Sequence, residues 1–379
     1  MILRNAFVFN ESNKFEKKDI TILNDLIATN DTDVSHDKIL DVSNCYAIPG
    51  LTDLHFHGCA GYDFCDGTEE AFRSIAEYEA SQGVTQICPA TMTFPEETLV
   101  KIGQTAAAYQ SESGAILCGI NMEGPFLSHA KKGAQNASYI HTPDAAMFRR
   151  IQAASGNLFK LLDLAVEVPE AIACIQELKD EVVLSIAHTN ATYEQAQAAI
   201  DAGATHVTHL YNAMSPYTHR SPGVIGAASD NDSVHVELIC DGIHVHPCVV
   251  RNTFKIFTDD RIILISDSMM ATGLKNGEYS LGGQAVTVTG NLATLHDGTI
   301  AGSATNLMDC VRVLVKEMHI PLESAVKCAA VNPAKEIGIF DQYGSITPGK
   351  KANIVLLNKD LSLRMVIING RPFERAAYK

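Results

Sequence analysis

Val182-Val183-Leu184-Ser185-Ile186-Ala187-His188 is a near-continuous apolar run closed by an imidazole, and this pattern decides how the chain is read. A short run of this kind, rich in β-branched and aliphatic residues, suits a strand buried on both faces. Comparable runs recur at 83–88, 115–120, 161–166, 206–210, 234–239 and 261–265. Between them lie Ala/Gln-rich stretches such as 193–202, a composition that favours helix. Buried strands alternating with helices predict an α/β protein with a parallel sheet covered on both sides. With about seven or eight such units, closure into a (β/α)8 TIM-like barrel is expected over an open doubly wound sheet.

The two ends have another character. Residues 2–9 and 19–23 are β-type runs, and Cys45-Tyr46-Ala47-Ile48-Pro49-Gly50 closes the opening segment with a turn signal. Near the other end the turn Gly344-Ser345-Ile346-Thr347-Pro348-Gly349-Lys350 precedes apolar runs at 352–357 and 364–370. The expected organisation is a small β-sandwich made from residues 1–48 and 347–379, flanking a barrel over 49–346.

Composition narrows the function class. The chain has 379 residues, 46% hydrophobic and 19% charged, which is material for a large core and not for disorder. A formal net charge of −15 argues against nucleic-acid or anionic-membrane partners, since both demand a basic footprint. The 10 cysteines include no C-x-x-C pair, which reads as reduced, buried thiols rather than disulfides. The opening segment lacks the apolar core of a secretory signal, and no stretch approaches the ~18 apolar residues of a membrane span. A soluble, cytoplasmic protein is expected.

The ionisable residues cluster where apolar runs end. Leu51-Thr52-Asp53-Leu54 leads into His55-Phe56-His57, and Ile120-Asn121-Met122 leads into Glu123. Ile186-Ala187 ends in His188, Val207-Thr208 in His209, and Leu264-Ile265-Ser266 in Asp267. In a parallel barrel these ends share one rim, so residues distant in sequence meet over one cavity. His55 and His57, at i and i+2, point to the same side of an extended chain and can serve one ion. Taken singly, each residue has a plainer explanation: a locally satisfied histidine, a Glu in a cap or ion pair, an Asp capping the Ser266-Asp267-Ser268 turn. Their joint placement points instead to a divalent ion, Zn2+, Fe2+, Mn2+ or Co2+. Such an ion lowers the pKa of a bound water to about 7, and Asp267 is the carboxylate placed to accept the proton. The implied reaction is hydrolysis at an amide, ester or amidine-like carbon. His36, His129, His141, His219, His235, His246 and His296 receive no metal role, and Cys59, Cys65, Cys88 and Cys118 are read as small core residues.

At these residues the chain resembles a known family. Pro49-Gly50-Leu51-Thr52-Asp53-Leu54-His55-Phe56-His57-Gly58 looks like the first-strand signature of the amidohydrolase superfamily. Glu123-Gly124-Pro125-Phe126, Ala187-His188-Thr189-Asn190-Ala191 and Thr208-His209-Leu210-Tyr211-Asn212-Ala213-Met214 are similar to the N-acetylglucosamine-6-phosphate deacetylases within it. So are Asp241-Gly242-Ile243-His244, Ser266-Asp267 and Ala301-Gly302-Ser303. The resemblance implies removal of acetate from an N-acetylhexosamine 6-phosphate, GlcNAc-6-phosphate in the first place, with its galacto epimer as the alternative. Another amidohydrolase acting on a cyclic amide is the more distant alternative. It further implies that Glu123, His188 and His209 hold the principal ion. His55 and His57 would hold a second ion bridged by Glu123, giving one or two ions per subunit, and Asp267 would be the general base and then the acid. Ala134, Asn212, Ala213, Ile300, Ala301, Gly302 and Ser303 would border the phosphosugar. Arg220 and His244 would come from a neighbouring subunit, so that a homodimer is implied. One position departs from the pattern: Gln135 stands where the family usually has a His that contacts substrate near the reacting group. Gln135 can donate a hydrogen bond but carries no charge.

Overall fold

The computed structural model describes residues 1–29, 38–111 and 113–374; His36 and the last five residues of the expected C-terminal segment lie outside them. Eight short parallel strands carry the middle of the chain. They are β1 (Leu51–Asp53), β2 (Val84–Ile87), β3 (Ile120–Glu123), β4 (Phe159–Leu164), β5 (Val183–Ile186), β6 (His206–Val207), β7 (His235–Ile239) and β8 (Ile262–Ile265).

Regular ladders join β1 to β2, and β3 through β8 in sequence order. The parallel sheet is therefore curled and divided between two ladders, rather than one uninterrupted ring of pairing. Single contacts span the gaps. Asn121 N–H donates to the Pro89 carbonyl at 2.9 Å, and Thr91 N–H donates to the Asn121 carbonyl at 2.9 Å. At the other gap Asp267 N–H donates to the His55 carbonyl at 3.0 Å, and His57 N–H to the Ser268 carbonyl at 2.7 Å. The run at 115–120, expected as one strand, is two. Ile116–Leu117 pairs with β2, after which the chain changes partner, Ile120 N–H donating to the Leu158 carbonyl at 2.8 Å beside β4.

Helices cover the outside. Ala145–Ala154 starts where the Asp144 side chain accepts the Met147 N–H at 3.0 Å, and it turns Met147, Phe148 and Ile151 inward. Tyr193–Ala202 begins with a reciprocal Thr192–Gln195 capping box and packs through Ala196, Ala199 and Ala202, small residues that allow close approach to the sheet. Outward-facing Met122, Leu162, Leu184, Ile186, Val236 and Leu238 join those helices in the largest apolar cluster. The opposite face of the same strands is partly polar. Asn121, Glu123, Asp163, Ser185, His206 and Glu237 are all buried there, beside the apolar layer of Leu161, Ile239, Ile263 and Ile265. What reads as continuous apolar sequence is thus interrupted at alternate positions, and the period-2 geometry sends every interruption inward.

The terminal segments form one mixed sheet, not the two stacked sheets of the expected sandwich. Its order is Arg371–Pro372, Leu363–Ile368, Ile354–Leu357, Tyr46–Pro49, Ile2–Phe9, Phe15–Leu23, Leu26–Ala28, with Ile39–Asp41 also paired to Ile2–Arg4. Both faces of its centre are buried. Ile354 and Leu356 pack with Leu3, Val8, Ile20 and Ile22, while Val355 and Leu357 face the main core with Phe9 and Ile48. Gly50 marks the passage from this sheet into β1, because a Cβ there would lie 1.8 Å from Thr85 Oγ1. A small antiparallel sheet after β8, Gly277–Leu281, Gln284–Thr289 and Leu292–Thr294, is an addition to the expected architecture. Its tight turn rests on Gly282 and Gly283, both with positive φ (56° and 79°), a pair that reads as a hairpin signal. Among the described residues no helix is long and apolar enough to cross a membrane.

Candidate functional site

Glu123 is the last residue of β3, and four other expected residues stand two positions past strand ends: His55 after Asp53, His188 after Ile186, His209 after Val207, Asp267 after Ile265. His188, His209 and Asp267 turn sharply there, with φ of 42°, 30° and 50°. Non-glycine residues in this left-handed region cost about 1–3 kcal/mol each, and such strain gathers where a side chain must be aimed. Here the turn folds each side chain back over the rim.

Glu123, His188 and His209 converge. His188 Nε2 lies 2.9 Å and His209 Nε2 3.2 Å from Glu123 Oε1, and the two nitrogens are 3.1 Å apart. His188 Nδ1 is 2.9 Å from the Lys131 carbonyl, which only accepts, so Nδ1 carries a proton and Nε2 is the nitrogen that faces Glu123. Without an ion a proton on Nε2 makes this contact an ion pair; a divalent cation would take that proton's place between the nitrogen and the carboxylate. Donors about 3 Å apart are what a tetrahedral ion at ~2.0–2.1 Å from each would need.

A second group adjoins the first. Asp267 Oδ1 is 3.3 Å from His57 Nε2 and 3.9 Å from His55 Nε2. Glu123 spans both groups, with Oε1 3.6 Å from His55 Nε2 and Oε2 3.4 Å from His57 Nε2. Among the described residues, His55 Nε2, His57 Nδ1 and His209 Nδ1 are buried without a hydrogen-bond partner. Both donor sets suit a divalent ion, three buried nitrogen or oxygen atoms within 4.8 Å of one another in each.

Electrostatics agree with this arrangement. Burial alone would raise the pKa of Glu123, but His188, His209 and His55 outweigh it and hold the carboxyl well below the usual range. Burial likewise opposes ionisation of Asp267, and the His57 hydrogen bond and the His55 charge reverse the balance, keeping it below the ordinary aspartate value. Asp163 behaves oppositely: burial, with Glu237 and Glu123 nearby, pushes it up to about 8 despite the attraction of His55.

A cavity of ≈ 320 Å³ opens above these groups. Of the residues expected to border substrate, Ala134, Gln135, Asn212, Ala213, His244, Ile300 and Gly302 line it. Gln135 does more than line it: its Nε2 donates to Glu123 Oε2 at 2.5 Å and its Oε1 accepts the Thr93 N–H at 2.8 Å. His244, expected to reach a neighbouring subunit, faces the cavity of its own chain because Asp241 Oδ2 holds its Nδ1 at 2.7 Å. Ala301 and Ser303 stand behind the wall. Ala301 packs with Met92 and Met269. Ser303 N–H donates to the Asp267 carbonyl and its Oγ to the Ser266 carbonyl, both at 2.7 Å, so it braces the Asp267 turn. Arg220 is exposed, outside the cavity, with Nη1 2.6 Å from His219 Nε2.

Sequence reasoning passed over Gly133, Leu281 and Thr299, which also line the cavity, and the buried Asp163 and Glu237 beneath it. A signal existed for the last two. Leu162-Asp163-Leu164 and Val236-Glu237-Leu238 each place a lone charge at the inward phase of an apolar strand.

Comparison with known proteins gives consistent matches. Residues 46–373 match the model of the Amidohydrolase family. The N-acetylglucosamine-6-phosphate deacetylase of Bacillus subtilis (strain 168) is 39% identical over 329 residues, 85% of this chain and 83% of that protein. The N-acetylgalactosamine-6-phosphate deacetylase of Escherichia coli O157:H7 is 33% identical over 328 residues, 85% of this chain and 86% of that protein. A mutant N-acetyl-D-glucosamine-6-phosphate deacetylase from Mycobacterium smegmatis, solved in complex with N-acetyl-D-glucosamine-6-phosphate, superposes with a TM-score of 0.91. It is 30% identical and covers 98% of this chain and 99% of that one.

Proposed function

The chain belongs to the amidohydrolase family, within it to the N-acetylglucosamine-6-phosphate deacetylases, and we propose that it hydrolyses N-acetylglucosamine 6-phosphate to glucosamine 6-phosphate and acetate in amino-sugar metabolism. The observation that carries this reading is the meeting of Glu123, His188 and His209 beside Asp267 at the floor of one cavity.

Glu123, His188 and His209 would hold the principal divalent ion, and His55 and His57, with Glu123 between, a second. When bound, such an ion polarises the acetamide carbonyl and acidifies a water. The protein's own part is proton management. Asp267, ionised because His57 and His55 outweigh its burial, accepts a proton from the attacking water as oxygen adds to the carbonyl carbon. It returns that proton to the sugar nitrogen as the C–N bond breaks, and the second water proton, left on the new carboxyl, passes to the amine or to solvent, so the products are acetate and the protonated amine or a released proton. Asn212, Ala213 and His244 are assigned to the phosphosugar, which explains how an acidic chain can take an anionic substrate: its donors are local. Ala134, Gln135, Ile300 and Gly302 would shape the walls, and Ala301 and Ser303 would act through the turn behind them.

The curled sheet is read as a closed (β/α)8 barrel over 49–346, supported by the hydrogen bonds from Asp267 to His55 and from His57 to Ser268. The sheet of 1–48 and 347–379 is then a second, smaller unit. A homodimer in which Arg220 serves the neighbouring cavity accounts for an Arg left exposed near Tyr217, itself 53% exposed. A cytoplasmic location accords with ten free cysteines.

The test is acetate release from GlcNAc-6-phosphate and GalNAc-6-phosphate in parallel, with metal content measured on the same preparation. Preferred turnover of the gluco epimer is expected. Preference for the galacto epimer would assign the chain to the other hexosamine, and equal turnover of sugar lacking the 6-phosphate would overturn the phosphosugar assignment.

A further inference from the structure

We propose that Glu237 is the positioning residue for the ion site at His55 and His57, a proposal that rests on the reading of that pair, with Glu123, as a second ion site. His55 is buried, and its Nδ1 lies 2.9 Å from Glu237 Oε2. The Asn121 amide nitrogen approaches the same atom at a longer 3.4 Å. An ionised carboxylate only accepts, so Nδ1 carries a proton, and Nε2, which has no hydrogen-bond partner among the described residues, is the nitrogen left to face an ion. The other tautomer would put a proton where the ion must bind. The same Oε2 accepts the backbone N–H of His209 at 3.0 Å. One oxygen thereby poses a ligand of each donor set: the ring of His55 and the main chain of His209.

Glu237 is itself held. Its Oε1 is 3.2 Å from His206 Nε2, and His206 Nδ1 is 2.8 Å from Glu336 Oε1. Glu336 Oε2 meets His235 Nδ1 at 2.5 Å. This line of alternating imidazoles and carboxylates runs from the rim down through His206, the first residue of β6, to His235, the first of β7. Glu237 is paired at both oxygens and cannot rotate. A carboxylate between the buried Val236 and Leu238 is costly unless fully paired, and here each pairing also orients a neighbour of the site. The hydrogen bonds leave one orientation for the His55 ring.

The experiment measures Zn2+ stoichiometry and chelator-competed Zn2+ affinity for the full chain, Glu237→Leu, Glu237→Gln and His55→Ala, with kcat and KM for GlcNAc-6-phosphate. The unaltered protein is expected to hold two Zn2+, and Glu237→Leu to bind the second about 10- to 100-fold more weakly. In that variant kcat falls while KM stays, since nothing at the phosphate end has moved. Glu237→Gln keeps an oxygen for His55 and His209 and an amide for His206, and is expected to restore the second ion. A merely structural role would lower stability without changing stoichiometry. If the unaltered protein and His55→Ala both hold one Zn2+, the second-ion reading fails and this proposal with it. If His55→Ala loses an ion but Glu237→Leu keeps both at unchanged affinity, Glu237 alone is overturned. A measurement independent of variant folding is the ring 15N spectrum of the Zn2+-loaded protein, where His55 is expected to keep its proton on Nδ1 and bind through Nε2, and binding through Nδ1 contradicts the assignment.

Discussion

The carboxylate of Asp267 stands 3.3 Å from the imidazole of His57, although one follows the last parallel strand and the other the first. The same two segments exchange backbone hydrogen bonds, so Asp267 is carried where the segment after β8 meets the segment after β1. Asp267→Asn keeps the size and shape of the side chain but removes the proposed base. Turnover should fall about 10²- to 10⁴-fold with metal content largely retained. Acetate release and elemental analysis on one preparation check this, and near-normal turnover would remove Asp267 from the mechanism.

Glu123 presents Oε1 to His188 and His209 and Oε2 to His57, so both donor sets depend on one carboxylate. Glu123→Ala should therefore weaken metal binding more than about 100-fold, beyond the loss usual for a residue that only supports a ligand. His57→Ala should spare the ion at His188 and His209. Metal titration of the two variants separates the cases, and equal losses would contradict the bridging position.

Metal uptake should release protons. Burial lowers the pKa of His188 and of His57, but Glu123 for the first, and Asp267 and Glu123 for the second, more than compensate, so both rise above 6.5 in the metal-free protein. A ligating imidazole must lose that proton, so affinity should fall as pH drops through the raised range. Titration calorimetry in two buffers of different ionisation enthalpy counts the protons; no buffer dependence near pH 7 would refute the prediction.

The buried His206–Glu336 pair gives a pH window for stability. Burial opposes both charges, yet Glu336 and Glu237 raise His206 to about 10, and His206 and His235 bring Glu336 down to about 2. The glutamate contribution is present above 4.5 and lost as pH falls through about 2. The histidine contribution is complete below 6.5 and lost as pH rises through about 10. Glu336→Ala strips His206 of one partner and should cost about 3–5 kcal/mol between these limits. Urea unfolding across pH tests it, a loss below about 1 kcal/mol counting against the pair.

Glu79, buried near Asp53, has the opposite sign. Burial and the Asp53 charge raise it from 4.5 to about 8, so the folded protein holds a proton that the unfolded chain releases, and stability declines as pH climbs between those values. Glu79→Gln should remove that slope, stabilising by about 1–3 kcal/mol at pH 8 and little at pH 4.5. Parallel denaturation curves at the two pH values decide it.

Much of the site could be read before any fold was known, because its chemistry depends on residue types at the ends of apolar runs. His188, His209 and Asp267 announce themselves where aliphatic stretches stop, and His55 and His57 by their spacing. Other features were invisible for physical reasons. Gln135 bonds Glu123 through a loop whose path depends on packing at the ends of the strands, so its contact with that carboxylate had no local signature. His244 faces its own cavity because Asp241 clamps it, and Ser303 supports a turn rather than the cavity wall. The hairpin after β8 was signalled by Gly282-Gly283 and passed over, while the left-handed backbone of three site residues has no composition signal at all.

By itself the sequence determined which side chains stand at strand termini, since alternation and run length depend on neighbours along the chain. Only the tertiary structure decided that Asp163, His206 and Glu237 share one buried face, and that Glu237 touches His55. Strand register and the curl of the sheet set those distances, and both arise from packing between residues far apart in the chain.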